Sequence, residues 1–346
     1  MAIGSGIKDN MQARVGTAVL KLPTGALRKM AGDPVVIDGR TLDVRLQLAA
    51  AQSADSPPIS SLDPMTARAG AAAAFAQSNA PRVAGVSTHD LMIDHAGLTV
   101  RIYRPASTNG LRPGVLFMHQ GGFVIGDLDT CDTFCSQLAS DLGAIVVSVD
   151  YRMGPEHLFP AAARDAEMAW AWINDHAAAL GVDTARLAVC GDSAGGQMAA
   201  ALCQTLRDSG RPQPVVQALV YPLVDATASD GSMISCGDAF PLDAATMEWF
   251  YSIALPTGFD RADPSLSPAL ASELGGVAPA IVVTAGFDPL RDQGMSFALA
   301  LRAAGVEVTD RCEDSLTHSF LAFGGITPEA RAGADRLVAD LARHLE

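Results

Sequence analysis

Val189-Cys190-Gly191-Asp192-Ser193-Ala194-Gly195-Gly196 joins two stretches of different period. Upstream, Arg186-Leu187-Ala188-Val189-Cys190 reads as a short buried strand. Downstream, Gln197-Met198-Ala199-Ala200-Ala201-Leu202-Cys203 reads as the start of a helix. Between them lies Gly-x-Ser-x-Gly, the pattern of a nucleophile elbow. A strand that turns abruptly into a helix strains the residue at its apex and leaves no room beside it. Gly191 and Gly195 supply that room, and Ala194 and Gly196 add to it. Ser193 is then expected to stand exposed above the C-terminal end of a parallel sheet, with a helix N-terminus behind it that favours negative charge. A surface Gly/Ser loop is the plain alternative, because the bare pattern arises often by chance. The flanking strand and helix favour the elbow.

Working outward, the chain alternates strand and helix. Val115-Leu116-Phe117-Met118 is a strand and 129–142 a helix. Ala144-Ile145-Val146-Val147-Ser148-Val149 is a continuous apolar strand, as when both faces of a sheet are covered. A long helix over 161–180 precedes the elbow. Strands follow at 215–221, 280–284 and 306–311, and a helix at 291–304. Thr327 and Pro328 are suited to the N-cap and first position of a last helix. Val86 to Ile93 and Leu98 to Tyr103 resemble two antiparallel strands joined by a turn near Asp94-His95-Ala96-Gly97. This order predicts an α/β fold with a mostly parallel, doubly wound sheet. Residues 1–80 are rich in Ala, Leu and Met at helical spacing and broken at Ser56-Pro57-Pro58 and Asp63-Pro64. They predict two or three helices and no strand. Residues 81–346 form the catalytic domain, with an irregular insertion at about 225–263 carrying Trp249, Phe250 and Tyr251.

The 346 residues suit one core of about 250 residues with a decoration. At 49% hydrophobic and 18% charged, with 24 basic against 38 acidic residues and a net charge of −14, the chain argues against nucleic-acid and anionic-membrane partners. No apolar run reaches spanning length, and Met1 to Leu20 lacks the pattern of a signal peptide. The six cysteines are scattered without metal-ligand spacing, which fits reduced thiols in a cytoplasmic protein. No metal or cofactor is expected.

A serine hydroxyl needs a base within hydrogen-bond reach, and the base needs an orienting acid. Of seven histidines, His89 and His95 precede the parallel core, His176 and His344 fall on helices, His157 lies in a loop, and His119 ends a strand before two glycines. His318, in Leu316-Thr317-His318-Ser319-Phe320, lies between the last strand and the last helix, at the sheet end where the elbow emerges. It is the preferred base, and activity is expected to fall below neutral pH as it protonates. In the order Ser…Asp/Glu…His, the acid precedes the base. Asp288 ends the strand Ile281-Val282-Val283-Thr284 and is preferred. Asp292 suits a helix N-terminus, and Glu313 and Asp314 belong to a different strand. An oxyanion needs backbone donors. Ala194 supplies one, and His119-Gln120-Gly121-Gly122-Phe123, after the strand 115–118, supplies Gly121 and Gly122.

These motifs resemble the hormone-sensitive-lipase-like carboxylesterases, family IV of the bacterial esterases. The resemblance rests on His119-Gln120-Gly121-Gly122-Phe123, Tyr151-Arg152-Met153-Gly154-Pro155-Glu156-His157-Leu158-Phe159-Pro160-Ala161-Ala162, Gly191-Asp192-Ser193-Ala194-Gly195-Gly196, Asp288-Pro289-Leu290-Arg291-Asp292 and His318-Ser319-Phe320, and covers about residues 80–346. It implies an α/β-hydrolase fold, the triad Ser193, Asp288 and His318, and oxyanion donors Gly121, Gly122 and Ala194. It also implies a cap made by the N-terminal helices and the 225–263 insertion, with Phe123, Asp192, Trp249 and Phe250 against the substrate. Asp192 places the chain in the GDSAG subgroup. Two departures stand out. Gln120 replaces the first glycine of His-Gly-Gly-Gly, where it narrows or polarises the pocket. Arg152-Met153-Gly154-Pro155-Glu156 replaces Arg-Leu-Ala-Pro-Glu, a structural loop change.

The reaction so implied is hydrolysis of short-chain, water-soluble carboxylic esters through an acyl-enzyme. The partner is a small-molecule ester, and relatives of this kind are often dimers, so a homodimer is expected. An amidase or deacetylase would use the same triad, since leaving-group preference resides in pocket shape. A binding protein on the same fold is the third reading. Plant hormone receptors of that kind lack the triad histidine, which is present here as His318.

Overall fold

The structure is a computed structural model that describes residues 19–93, 97–106 and 110–346. The turn expected at 94–97, including His95, falls largely outside the described residues. In chain order the elements are α1 (Thr24–Ala31), β1 (Val36–Ile37), β2 (Arg40–Thr41), α2 (Val44–Ser53), α3 (Pro64–Ser78), β3 (Ser87–Met92), β4 (Thr99–Arg104), β5 (Arg112–Met118), α4 (Asp132–Asp141), β6 (Ile145–Asp150), α5 (Ala161–Asp175), α6 (Ala177–Leu180), β7 (Val182–Asp192), α7 (Ala194–Asp208), β8 (Gln217–Val220), α8 (Ser232–Ser235), α9 (Ala244–Ala254), β9 (Ala280–Phe287), α10 (Arg291–Ala303), β10 (Val308–Thr317) and α11 (Pro328–Leu345). Eight strands form one sheet in the order β3-β4-β6-β5-β7-β8-β9-β10. β4 alone runs against its neighbours, and every other pairing from β6 to β10 is parallel.

Two-residue alternation on the strands builds two cores, one on each face. Leu116, Met118, Val147, Val149, Val189 and Val282 face α5, α7 and α10 through Trp170, Ile173, Met198, Leu202 and Phe297. Val115, Phe117, Val146, Cys190, Ile281 and Val283 face α4 and α11 through Phe134, Leu138, Leu337 and Leu341. These strands read as unbroken apolar runs because neither face meets water. Thr327 accepts the N–H of Glu329 and Pro328 follows at the first helical position, as the sequence indicated for α11.

Several sequence-based boundaries are corrected. The helix expected over 161–180 breaks at His176, whose ring stacks on Trp172. β7 begins at Val182 and β10 continues to Thr317, so His318 directly follows the last strand. The N-terminal region is not purely helical: β1 and β2 pair as a hairpin across Asp38-Gly39, whose φ values of 51° and 76° suit a tight turn between short strands. Asp-Gly after Val35-Val36-Ile37 was the available signal, and the short strands hid it.

Two arginines fasten the N-terminal region to the sheet domain. Arg68 on α3 donates to the carbonyls of Val124 (2.7 Å) and Gly154 (2.6 Å) and grips Glu156 with both terminal nitrogens (2.6 and 2.8 Å). This pairing holds the Glu156 carboxyl down at about 2. Arg291, 4% exposed, donates to Asp38 (2.7 Å) at the hairpin tip and to the Gly286 carbonyl (2.9 Å).

Candidate active site

β7 ends at Asp192 and α7 begins at Ala194, leaving Ser193 at the apex with φ 55° and ψ −116°. Close packing forces the glycines. A Cβ on Gly191 would lie 2.2 Å from the Gly195 carbonyl oxygen, and one on Gly195 would lie 2.0 Å from the Met118 carbonyl oxygen. The Ser193 side chain was expected to be exposed. It is instead 7% exposed and sits on the floor of a cavity, because segments outside the sheet close over it.

The turns after β9 and β10 bring two more groups to this point. His318 Nε2 lies 2.9 Å from Ser193 Oγ, and His318 Nδ1 lies 2.8 Å from Asp288 Oδ2. Asp288 is fully buried and its other oxygen accepts the N–H of Leu290 at 2.8 Å. An ionised carboxylate only accepts, so Nδ1 carries the proton and Nε2 is free to accept from the Ser193 hydroxyl. The other acids are engaged elsewhere. Asp292 accepts the N–H of Ser232, Glu313 pairs with Arg311 and Arg336, and Asp314 pairs with Arg40.

The loop after β5 turns back on itself through Gly121 (φ 133°) and Gly122 (φ 58°). The Gly121 carbonyl accepts the N–H groups of Val124 and Ile125, and a Cβ on Gly121 would lie 1.9 Å from the Ile125 carbonyl oxygen. A Cβ on Gly122 would lie 2.3 Å from the Phe250 ring. Gly121, Gly122, Phe123, Ala194 and Phe250 all line the cavity with Ser193 and His318. Its volume is about 1470 Å³. Its other walls come from the N-terminal region (Leu42, Ile59, Leu62, Phe75) and from the insertion (Leu242, Met247).

Two residues expected against the substrate lie elsewhere. Asp192 is fully buried beneath the elbow, where it accepts from Tyr221 Oη at 2.9 Å, from the Cys131 thiol at 3.7 Å and from the Gln120 N–H. Burial pushes its carboxyl up to about 7 against these donors. The resemblance implied that Asp192 faces the substrate, whereas as the last residue of β7 it turns inward. Trp249 is half-buried outside the cavity, with its ring packed on Phe250 at 5.3 Å.

Tyr221 was not singled out in the sequence. It lies between two site groups, its ring 4.7 Å from that of His318 and its hydroxyl on Asp192, with φ at 36°. Its place directly after β8, at the sheet end that carries the elbow, was the usable signal. His119, fully buried, stacks on Tyr151 at 4.2 Å and donates from Nδ1 to the Gln120 carbonyl at 2.7 Å. Burial lowers it to about 4, so its ring stays neutral and locks the loop. Among the described residues no group of His, Cys, Asp and Glu is arranged to hold a metal ion, and no helix is long and apolar enough to cross a membrane.

Comparison with known proteins agrees with this architecture. Residues 115–322 match the family described as alpha/beta hydrolase fold. The chain is 43% identical over 345 residues to the carboxylic ester hydrolase LipN of Mycobacterium tuberculosis, covering 96% of this chain and 91% of that protein. It is 41% identical over 253 residues to an ethyl acetate hydrolase of Pseudomonas putida, covering 72% and 79%. The solved structure of ester-hydrolase EH1AB1, from the metagenome of Lake Arreo, superposes with a TM-score of 0.81 at 36% identity, covering 86% of this chain and 95% of that one. On these likenesses the chain belongs to the hormone-sensitive-lipase-like carboxylesterases of the α/β-hydrolase fold and is a carboxylic ester hydrolase.

Proposed function

We propose that Ser193 is the nucleophile, His318 the general base and Asp288 the orienting acid for hydrolysis of short-chain carboxylic esters. Ser193 Oγ attacks the ester carbonyl carbon as His318 Nε2 takes its proton. The imidazolium is stabilised by Asp288 across the 2.8 Å contact. His318 then gives that proton to the departing alkoxide, and the alcohol leaves an acyl-Ser193. Water attacks the acyl carbonyl with His318 again as base, and the acid product leaves as Ser193 regains its proton. Negative charge on the carbonyl oxygen is met by the backbone N–H groups of Gly121, Gly122 and Ala194. Each such donor is worth about 3 kcal/mol in the transition state.

The observation that carries this reading is the unbroken series Asp288–His318–Ser193, with contacts of 2.8 and 2.9 Å, opening into a cavity beside two glycines of positive φ. Residues 19–80 and the 225–263 insertion act as the cap over that cavity, with residues 81–346 as the catalytic domain. Support for a small acyl group comes from Phe250, whose ring lies against Gly122, and from the relative that is an ethyl acetate hydrolase. Six free cysteines fit a cytoplasmic site of action.

The test is hydrolysis of p-nitrophenyl esters from acetate to palmitate, with Ser193→Ala beside the wild type. Activity highest on the short chains and abolished in the variant is the expected result. A peak at long chains refutes the short-chain reading, and activity surviving in Ser193→Ala refutes the nucleophile.

A further inference from the structure

Gln120 precedes the two glycines of the loop after β5, and its side chain reaches across the site. Its Oε1 accepts a hydrogen bond from the hydroxyl of Ser319, the residue directly after the base His318. The two residues are 199 positions apart, so this one bond joins the loop carrying Gly121 and Gly122 to the loop carrying His318. Gln120 is 2% and Ser319 5% exposed, and both line the cavity. Ser319 has φ 65° and ψ 18°, a left-handed conformation that a serine holds only when its surroundings fix it.

The rest of Gln120 is anchored independently. Its backbone N–H donates to Asp192 and its carbonyl accepts from His119 Nδ1. The side chain is therefore not needed to place the backbone of the loop. It also carries a cost, because Nε2 is buried without a hydrogen-bond partner. A buried donor left unpaired destabilises a fold. A side chain that is dispensable for the backbone, unfavourable at one atom and bonded across the site at the other is kept for what the bond does.

We propose that Gln120 is a positioning residue: through Ser319 it clamps the loop of the oxyanion donors to the loop of the catalytic base, fixing their separation while the carbonyl oxygen gains charge. The clamp touches no reacting atom. It rests on the triad and oxyanion roles assigned above.

The test uses Gln120→Met, Ser319→Ala and the double variant, assayed on p-nitrophenyl acetate beside wild type and Ser193→Ala. Methionine matches the length of glutamine and removes both the bond and the unpaired donor. A clamp acting in the transition state lowers kcat about tenfold with KM within about twofold of wild type. Ser319→Ala gives the same loss, and the double variant loses no more than either single, because one bond is removed in all three. The melting temperature of Gln120→Met stays level or rises, since the unpaired Nε2 is gone.

Wild-type kcat in Gln120→Met overturns the clamp, and so do losses that multiply in the double variant. A melting temperature that falls in step with activity overturns it too, by showing that the side chain only supports the fold. An inactive wild type, or an active Ser193→Ala, would instead refute the triad on which the clamp depends.

Discussion

Replacing Asp192 by asparagine should change how the stability of the protein depends on pH more than it changes stability at any one pH. Asp192 is fully buried next to the elbow, and burial pushes its carboxyl from an ordinary 3.8 up to about 7. A carboxyl whose folded value lies above its unfolded one binds more protons in the folded state. Its contribution to stability is fully present below about 3.8 and is lost as pH rises through 7. At about 1.4 kcal/mol per pH unit, the full loss is about 4 kcal/mol, of which about 3 kcal/mol falls between pH 4.5 and 7.5. His119, lowered from 6.5 to about 4 by burial, acts with the opposite sign. The unfolded chain binds its proton more readily there, so its contribution rises with pH between about 4 and 6.5, by about 3 kcal/mol. In the wild type the two slopes oppose each other over that range. Asparagine cannot titrate, so Asp192→Asn removes one slope and leaves the other. The assay is urea unfolding followed by the fluorescence of Trp170, Trp172 and Trp249 at pH 4.5, 5.5, 6.5 and 7.5. Asparagine keeps one acceptor oxygen for Tyr221 and Cys131 and turns the other into a donor, which lowers the variant by an offset that cancels when the curves are compared across pH. The stability of Asp192→Asn minus that of wild type should rise by about 3 kcal/mol from pH 4.5 to 7.5. Parallel curves would refute the reasoning, showing that the donors around Asp192 keep it ionised throughout.

Other perturbations follow from the same contacts. Gly122→Ala places a methyl group 2.3 Å from the Phe250 ring at φ 58°, so the loop must shift; kcat on p-nitrophenyl acetate should fall about 100-fold with the fold retained by circular dichroism. Gly195→Ala puts its Cβ 2.0 Å from the Met118 carbonyl oxygen, where only backbone movement gives relief. It should lower stability by more than about 4 kcal/mol in urea unfolding. Arg68→Ala removes four hydrogen bonds that hold α3 to the Val124, Gly154 and Glu156 backbone and side-chain groups. Limited proteolysis near Ser56-Pro57-Pro58 should quicken while the sheet domain stays resistant.

The parts of the site that the sequence disclosed are those whose chemistry forces residue type. Gly191, Ser193 and Gly195 are fixed by backbone crowding at the apex, Asp288 directly follows a buried, mostly apolar strand, and His318 follows the last strand before the final helix. Side-chain direction was less legible. Asp192 is one residue from Ser193 yet points into the core, because it is still the last residue of β7 while Ser193 has left the strand. Trp249 and Phe250 are adjacent on α9, yet Phe250 lines the cavity and Trp249 does not, because tertiary packing sets which side of the helix faces inward. Tyr221 escaped notice because its importance lies in a contact with His318 across 97 positions. The hairpin β1–β2 was hidden because two-residue strands are too short to show alternation.

The groups proposed for the chemistry and the walls of the cavity belong to separate stretches of chain. Ser193, Asp288, His318 and the paired glycines stand on turns at the ends of β7, β9, β10 and β5, each held by the ladder of the sheet. Much of the enclosing wall lies between residues 30 and 78 and between 234 and 251, and the first of these is fastened to the sheet domain by Arg68, by Arg40 on Asp314, by Asp38 on Arg291 and by the Asp43 N–H on the Ser315 carbonyl. A mutation in those walls leaves the strand register and the proton path untouched. In such an architecture the shape of the cavity and the turns that carry Ser193, Asp288 and His318 are set by different contacts.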